Sequence, residues 1–297
     1  MSKTIRQVIL PILAAAIWGS AFVFQNMVSD SVGPFTFNAC RSVIATLFLL
    51  LLYWGIRQYK KRQGTYQPQP RKQLILGGLA CGLALAIASN LQQIGIGGTT
   101  AGKAGFITAM YMVLVPIFGL FLKKRVAPIV WLSILLASIG LYFLSIQGGF
   151  TLSSGDFYVM LCAIVFAVHI LLIDHFTQYV DGVALSCAQF AVTAVVSLIV
   201  AAVSEVDCWG NIAGSIWPIL YVGIFSSGVA YTLQIIAIKG SNPTIVSLLL
   251  SLESVFAVIS GALILQERLT GRELLGCGLI LAAVVLTQLP ERKKQKL

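Results

Sequence analysis

Charged side chains are scarce in this sequence. They account for 10% of its 297 residues, whereas 58% of the residues are hydrophobic. A chain with so few polar groups cannot cover its surface in water, which excludes a soluble globular protein. Long hydrophilic segments are scarce as well, since the longest one runs only from Arg57 to Lys72. The composition therefore predicts a membrane protein without a soluble domain.

Motifs for catalysis and metal binding are missing too. The sequence has no HExxH, no G-x-S-x-G and no pair of aspartates in the middle of an apolar run, because Asp156, Asp174 and Asp181 lie near run ends. Five of the six cysteines lie within apolar runs, so neither a disulfide framework nor a zinc site is indicated. We predict no catalytic residue, no metal site and no cofactor, and an intramembrane enzyme is a disfavoured alternative.

One segment resembles a nucleotide-binding motif but lacks its essential parts. Residues 97–104, GGTTAGKA, nearly match the phosphate-binding pattern G-x-x-x-x-G-K-[ST]. The last position is Ala104, which has no hydroxyl for magnesium, and no predicted strand precedes the segment. We therefore predict no ATP binding, and we expect the Lys103 side chain to extend outward to the membrane surface.

The apolar residues form ten runs, each close to the roughly 20 residues that cross about 30 Å of hydrocarbon. They predict an all-α integral membrane protein with ten transmembrane helices. The predicted spans are 8–28, 35–55, 74–96, 99–121, 128–147, 156–175, 183–203, 216–237, 243–265 and 270–289.

The basic residues collect on one side of this topology. With the N-terminus inside, sixteen Lys and Arg residues face the cytoplasm and two face outward. This asymmetry predicts a multi-pass protein of the cytoplasmic (inner) membrane with both termini in the cytoplasm. The net charge of +10 then needs no nucleic-acid partner, because the lipid bilayer explains it. The inside residues are Lys3, Arg6, Arg57, Lys60, Lys61, Arg62, Arg71, Lys72, Lys123, Lys124, Arg125, Lys239, Arg292, Lys293, Lys294 and Lys296, and the outside ones are Arg268 and Arg272.

The second half of the chain repeats the first. ASNLQQIGIGG at 88–98 returns as AYTLQIIAIKG at 230–240, with six of eleven positions identical at a shift of 142. Five helices per half is an odd number, so the second unit is expected to lie inverted in the bilayer, as in secondary transporters. We therefore predict two five-helix domains, residues 1–148 and residues 149–297.

Three further segments carry a family resemblance. They are AAAIWGSAF at 14–22, VLVPIFGLFLKKR at 113–125 and the stretch 251–281, which contains SLESVF and LILQERLTGRELLGCGLIL. In their order, spacing and duplication they resemble the drug/metabolite transporter superfamily, and within it the ten-helix EamA-type transporters. The resemblance implies export of a small solute by alternating access. It also implies a cavity between helices one, three, four, six, eight and nine, with helix two at the periphery.

The chain departs from that family at one position. Family members commonly carry a proline after the mid-helix glutamate, whereas Ser254 follows Glu253 here. A kink in the ninth helix is therefore not expected from proline, while Pro116 is expected to distort the fourth helix. Glu267 and Arg268 resemble a family signature and are expected to fix a loop.

Glu253 is the residue that a structural role explains least well. It lies about ten residues into the ninth span, roughly 15 Å deep, where an ionisable group is costly. We predict that it binds a cationic part of the substrate or exchanges a proton, and the alternative is a glutamate that only braces two helices. Its mate at the shift of 142 is Tyr111, so the two copies of the site have diverged.

Two other ionisable residues lie within spans. His169 is a candidate for proton coupling, because histidine titrates near physiological pH, although a lone helical histidine is more often a packing residue. Arg41 lies about 9 Å below the outer end of the second span. It is expected either to anchor at the interface or to bind a carboxylate, and the peripheral place of the second helix favours the anchor.

Polar and aromatic side chains also form stripes at helical spacing. Such stripes occur on the first, third and eighth spans. They would either line a water-filled path between the two halves or form hydrogen bonds between helices. Their aromatic and amide composition suits a small amphipathic solute such as an amino acid. The stripes are Trp18, Phe22 and Gln25, then Ser89 and Gln92, then Ser227, Tyr231 and Gln234.

The predicted function is thus a secondary transporter, in the direction of export, for a small organic metabolite such as an amino acid or an amphipathic drug. The predicted substrate-binding residues are Trp18, Phe22, Gln25, Gln92, Tyr111, Tyr231, Gln234 and Glu253. A channel-like pore and an intramembrane enzyme are the alternatives. The small-molecule substrate and the bilayer are the predicted partners, and a monomer is favoured.

Overall fold

The computed structural model describes residues 5–99, 101–124, 126–145, 153–206, 212–264, 266 and 270–288. Throughout these residues the regular structure is helical. Several residues named above lie outside the described part of the chain: Lys3, Arg125, Glu267, Arg268, Arg292, Lys293, Lys294 and Lys296.

The helices follow the ten predicted spans closely. Within the described residues, nine are long and apolar enough to cross a membrane, and the tenth, α5, is a shorter apolar helix. The ten-helix, all-α prediction is therefore confirmed. The bounds are α1 Ile5–Val28, α2 Pro34–Arg62, α3 Arg71–Ile96, α4 Lys103–Phe121, α5 Pro128–Ser145, α6 Ser154–Phe176, α7 Gly182–Ser204, α8 Ala213–Ile238, α9 Pro243–Ile264 and α10 Gly271–Gln288.

Local sequence explains where several helices begin. Pro34 stands in the first turn of α2, where its missing N–H costs nothing. Ser153 and Asp156 form a capping box at the start of α6, and Asp181 accepts from the Val183 and Ala184 amides at the start of α7. These caps satisfy amides that a helix start otherwise leaves unpaired.

The helices pack in matched sets. Helix α1 packs against α8 and α9, while α6 packs against α3 and α4; α2 pairs with α7, and α5 pairs with α10. Gly140 and Gly276 let the last pair approach closely, since a Cβ on Gly276 would lie 2.6 Å from the Gly140 carbonyl oxygen.

Two helices are interrupted at positions 142 residues apart. Helix α4 is broken at Met110, and its second segment is Tyr111–Phe121; α9 is broken at Ser251 and Leu252, and its second segment is Glu253–Ile264. Both breaks are single tight turns, because Val113 N–H donates to Met110 O and Ser254 N–H donates to Ser251 O, three residues back.

The breaks correct the expectation drawn from proline. Pro116 lies inside the continuous segment Tyr111–Phe121, and the fourth helix is interrupted six residues earlier. The ninth helix is interrupted although its proline, Pro243, stands at its first position and not at the break. A serine side chain contributes to this break, because Ser251 Oγ donates to the Leu248 carbonyl oxygen at 2.7 Å within the tightened turn.

Helix α8 contains a wide helical stretch that the sequence did not indicate. Residues Val222–Ala230 form a π-helix, in which each amide bonds five residues back, so the Tyr231 N–H donates to the Ser226 carbonyl. Gly223 and Gly228 lie in this stretch and allow Ile44 and Phe48 of α2 to approach its backbone. Stretches of this kind are frequent at functional sites.

Ionic contacts tie the two ends of the bundle. At one end Lys60 contacts Asp181 and Lys124 contacts Asp174. At the other end Lys103 Nζ lies 2.6 Å from Asp156 Oδ2. The expectation that Lys103 extends outward is therefore wrong, because the buried Asp156 carboxylate draws its amine inward.

Candidate functional site

One cavity inside the bundle gathers all eight residues predicted to bind substrate. It has about 430 Å³ of empty volume, its mouth included. Seven helices contribute to it, α1, α2, α3, α4, α6, α8 and α9. Its lining consists of Trp18, Phe22, Gln25, Gln92, Tyr111, Tyr231, Gln234 and Glu253, together with Arg41, Thr108, Phe166, Ile170 and Ser226. Geometry unites these residues, and their contact with substrate stays a prediction.

An aromatic wall forms one side of this cavity. The rings of Trp18 and Tyr231 meet edge to face with centroids 4.7 Å apart. Trp18 Nε1 donates at 3.3 Å to the Ser226 carbonyl, which also accepts from the Tyr231 N–H. The wall is thus a fixed surface that joins α1 to α8.

The three amide side chains of the cavity differ in how they are bonded. Gln92 Nε2 donates to Thr108 Oγ1 at 3.3 Å, and Gln25 Oε1 accepts from Arg41 Nη1 at 3.3 Å. Gln234 Oε1 is buried and has no hydrogen-bond partner within the described residues. Gln234 therefore presents a buried acceptor oxygen that no described group uses.

Glu253 stands in the first turn of the second segment of α9, where the helix dipole offsets part of a negative charge. Its side chain is 3% exposed. Tyr111 lies next to it, yet neither Tyr111 Oη nor Glu253 Oε1 has a well-formed hydrogen bond within the described residues. A buried carboxylate with an unused oxygen can accept a hydrogen bond from a ligand.

Arg41 belongs to the cavity and not to the membrane surface. It is 4% exposed, and its guanidinium lies 5.7 Å from the Phe37 ring centroid. Among the described residues it forms no ion pair, and its Nε has no hydrogen-bond partner. The interfacial-anchor expectation is therefore wrong in this structure, because α2 turns this side chain into the bundle against Gln25.

His169 lies behind the cavity. It is fully buried, its Nε2 lies 3.0 Å from Gln189 Oε1, and its ring centroid is 6.2 Å from that of Tyr231. His169 does not belong to the lining of the described cavity. Two lining residues, Tyr231 and Phe166, have rings in contact with the His169 ring.

Some lining residues were missed for identifiable reasons. A stripe at α-helical spacing selects Ser227 on α8, but the π-helical stretch shifts the face by one residue and brings Ser226 to the cavity. Thr108, one turn before Tyr111, carries no strong sequence signal. Ser89 does not line the cavity, and its hydroxyl donates to the Ala86 carbonyl of its own helix at 3.4 Å.

Within the described residues, ten apolar helices, seven of which line an internal cavity with a buried arginine and a buried glutamate, define a polytopic membrane protein. The family model described as "EamA-like transporter family" matches residues 5–146 and 153–289. The chain therefore belongs to the EamA-like transporter family.

Relatives agree with this assignment. An uncharacterized transporter of Archaeoglobus fulgidus is 32% identical over 284 residues, which cover 93% of this chain and 84% of that protein. The threonine/homoserine exporter RhtA of Escherichia coli K12 is 26% identical over 306 residues, covering 98% of this chain and 93% of the exporter.

A solved crystal structure shares the fold. It matches with a TM-score of 0.77 at 17% sequence identity, over 97% of this chain and 97% of its own. At that identity the likeness concerns the arrangement of helices alone.

Proposed function

We propose that this protein is a secondary transporter that exports a small zwitterionic amino acid across the cytoplasmic membrane by alternating access. The observation that carries the proposal is a buried basic side chain, Arg41, and a buried acidic side chain, Glu253, in one cavity. No ion pair joins them within the described residues.

A zwitterion complements this pair. Tyr231 lies within electrostatic range of both Arg41 and Glu253, so the two charges flank the same part of the cavity. The carboxylate of an amino acid would accept from the Arg41 guanidinium, and its ammonium group would donate to Glu253. Each charged group of the ligand then pairs with a buried ionisable side chain that has no ion pair within the described residues.

The substrate side chain would meet a mixed surface. Gln234 offers an acceptor, while Phe22 and Phe166 offer apolar contact. A small side chain with one hydroxyl group fits this combination. The Escherichia coli relative, which carries threonine or homoserine in its name, supports the same class of solute.

The helix arrangement supports the alternating-access part. The matched packing of α1 on α9 and of α6 on α4 fits two five-helix domains, 1–148 and 149–297, of opposite orientation. The broken helices α4 and α9 cross where Tyr111 and Glu253 meet. Lys60, Lys124 and Lys239 share one end of the bundle, which supports cytoplasmic termini by the positive-inside rule.

The experiment is counterflow in proteoliposomes with three solutes: L-threonine, L-threoninol, which lacks the carboxylate, and 3-hydroxybutyrate, which lacks the amine. We expect the wild type to exchange threonine and to discriminate against both analogues. Arg41→Gln should lose the preference over threoninol, and Glu253→Gln should lose the preference over 3-hydroxybutyrate. Arg62→Gln, at the exposed end of the same helix α2, is the matched control.

Two results would contradict the proposal. Absence of counterflow for any amino acid would overturn transport of this solute class, and unchanged preferences in both variants would overturn the two assigned contacts. Saturable counterflow also separates a carrier from a channel, because a pore gives no exchange of this kind.

Proton coupling is a separate part of the proposal. Glu253 would release or take a proton as the ligand ammonium arrives or leaves, and His169, which lies behind the lining, would act indirectly through the residues it contacts. Threonine flux in the presence and absence of a pH gradient tests this step. Flux that ignores the gradient and survives both Glu253→Gln and His169→Ala would rule it out.

A further inference from the structure

A second cavity opens at the end of the bundle that carries Lys60 and Asp181. It lies between the C-terminal part of α2, the segment 65–70, the connection from α6 to α7 and the residue that follows α8. Its empty volume is about 790 Å³, the mouth included. None of its lining residues takes part in the first cavity, so any role it has is separate from solute binding.

The lining of this second cavity has a surplus of positive charge. Arg57, Lys60 and Lys239 face a single acid, Asp181, which leaves a net charge of +2 from three cations and one anion. Asp181 is already engaged, because its Oδ1 accepts from the Val183 and Ala184 amides. Its Oδ2 lies 3.5 Å from Lys60 Nζ, near the limit of a contact.

The three cations have weak contacts with the rest of the protein, since Lys60 has a long ion pair with Asp181. Among the described residues Lys239 Nζ reaches only the Val180 carbonyl, also at 3.5 Å. Arg57 has no ion pair within the described residues, and its guanidinium lies over the Tyr66 ring, 5.4 Å from the centroid. A guanidinium held on an aromatic ring keeps its N–H edge for two parallel hydrogen bonds to one oxyanion.

We propose that this cavity binds a phosphate-bearing anion, with Arg57, Lys60 and Lys239 as its direct contacts. Phosphate supplies several strong acceptors, which three converging donors can share. Tyr53, Tyr66 and Tyr179 line the same cavity, and tyrosines of this kind lie at the level of lipid headgroups. The anion is the headgroup of an anionic phospholipid or a soluble phosphate, and the experiment distinguishes these two sources.

The test measures ligand-dependent thermal stabilisation and binding by native mass spectrometry, with the full-length protein in neutral detergent. The probes are short-chain phosphatidylglycerol, short-chain phosphatidylcholine and inorganic phosphate. The site variant is Arg57→Gln/Lys60→Gln/Lys239→Gln. The matched control is Arg62→Gln/Arg71→Gln/Lys72→Gln, which removes the same charge from residues outside the lining.

We expect phosphatidylglycerol to bind the wild type and the control alike, and to bind the site variant at least about tenfold more weakly. Phosphatidylcholine, whose headgroup carries its own cation, should bind weakly to all three. Saturable binding of inorganic phosphate with the same loss in the site variant would instead assign the site to a soluble anion. Equal losses in both triple variants, or no saturable binding of either anion to the wild type, would overturn the proposal.

A single substitution keeps the test valid if the triple variant does not fold. Arg57→Lys retains the charge but loses the paired N–H donors. Phosphatidylglycerol binding by Arg57→Lys should fall between the wild type and Arg57→Gln. Wild-type affinity in both single variants would overturn the assigned role of Arg57.

Discussion

The breaks in α4 and α9 have the same backbone geometry and different chemistry. Each is a single tight turn, and the two lie 142 residues apart, with Tyr111 first in one following segment and Glu253 first in the other. One copy presents a phenol to the cavity and the other a carboxylate. The shared geometry positions a side chain at the crossing, and the residue type decides what that side chain binds.

The surroundings of the two breaks differ as well. A Cβ on Gly19 of α1 would lie 2.7 Å from the Glu253 carbonyl oxygen, so α1 packs directly on the backbone of the α9 break. The α4 break is linked through side chains instead, since Thr108 accepts from Gln92. The α9 break therefore has close backbone packing against α1 in addition to a polar contact, in which Ser254 Oγ donates to Gly105 O at 3.2 Å.

The largest effect is expected from removing the Glu253 carboxylate. Glu253→Gln should weaken threonine binding by about 10- to 150-fold, because a hydrogen bond to a charged group contributes about 1.5 to 3 kcal/mol. If the two breaks are equivalent in geometry, Tyr111→Glu/Glu253→Gln should recover part of that loss. Equilibrium binding of threonine to the purified variants measures both.

One control variant and one possible result test this interpretation. Tyr111→Glu alone adds a second buried acid and should impair binding. No recovery in the double variant, with the protein folded, would mean that the position of the carboxylate is specific to α9. The pseudo-symmetric comparison would then hold for the backbone alone.

The next effect concerns the packing of α1. Gly19→Ala would place a Cβ 2.5 Å from Phe256 Cβ and 2.6 Å from the Ala257 nitrogen, which forces the helices apart. We expect a loss of about 1 to 3 kcal/mol in stability, together with reduced threonine flux. Gly278→Ala is the control, since no described atom lies within 4 Å of its Cβ position. Differential scanning fluorimetry compares the two, and an equal response of both variants would contradict the packing argument.

A smaller effect on binding is expected from Gln92 and Gln234, which occupy equivalent positions in the two repeats. Gln234→Ala should weaken threonine binding by roughly 2- to 10-fold, because a neutral hydrogen bond contributes about 0.5 to 1.5 kcal/mol. Gln92→Ala should affect binding less, because the Gln92 amide already donates to Thr108. Isothermal titration calorimetry with threonine gives the affinity of both variants. A larger loss of affinity for Gln92→Ala would mean that Gln92, and not Gln234, is the more important contact.

Most of the fold could be predicted from the sequence, because hydrophobic length is a direct consequence of the bilayer. The positions of Trp18 and Gln234 on the cavity followed from helical spacing and the internal repeat. Other features could not be predicted, because they depend on tertiary packing. Arg41 faces inward through the orientation of α2 against Gln25, Ser226 enters the lining through the π-helical stretch, and Lys103 is drawn to Asp156 from another helix.

The smallest effect is expected at the neutral break. The Tyr111 hydroxyl is buried beside Glu253 without a well-formed hydrogen bond within the described residues, so Tyr111→Phe removes only a weak polar contact. We expect threonine flux to change by less than about threefold and stability to stay equal or rise by about 1 kcal/mol. A loss of flux as large as that of Glu253→Gln would mean that the phenol bonds to Glu253 during the transport cycle. Tyr111 and Glu253 would then act as one hydrogen-bonded pair, and the difference between the two residues would reflect their different roles in that pair.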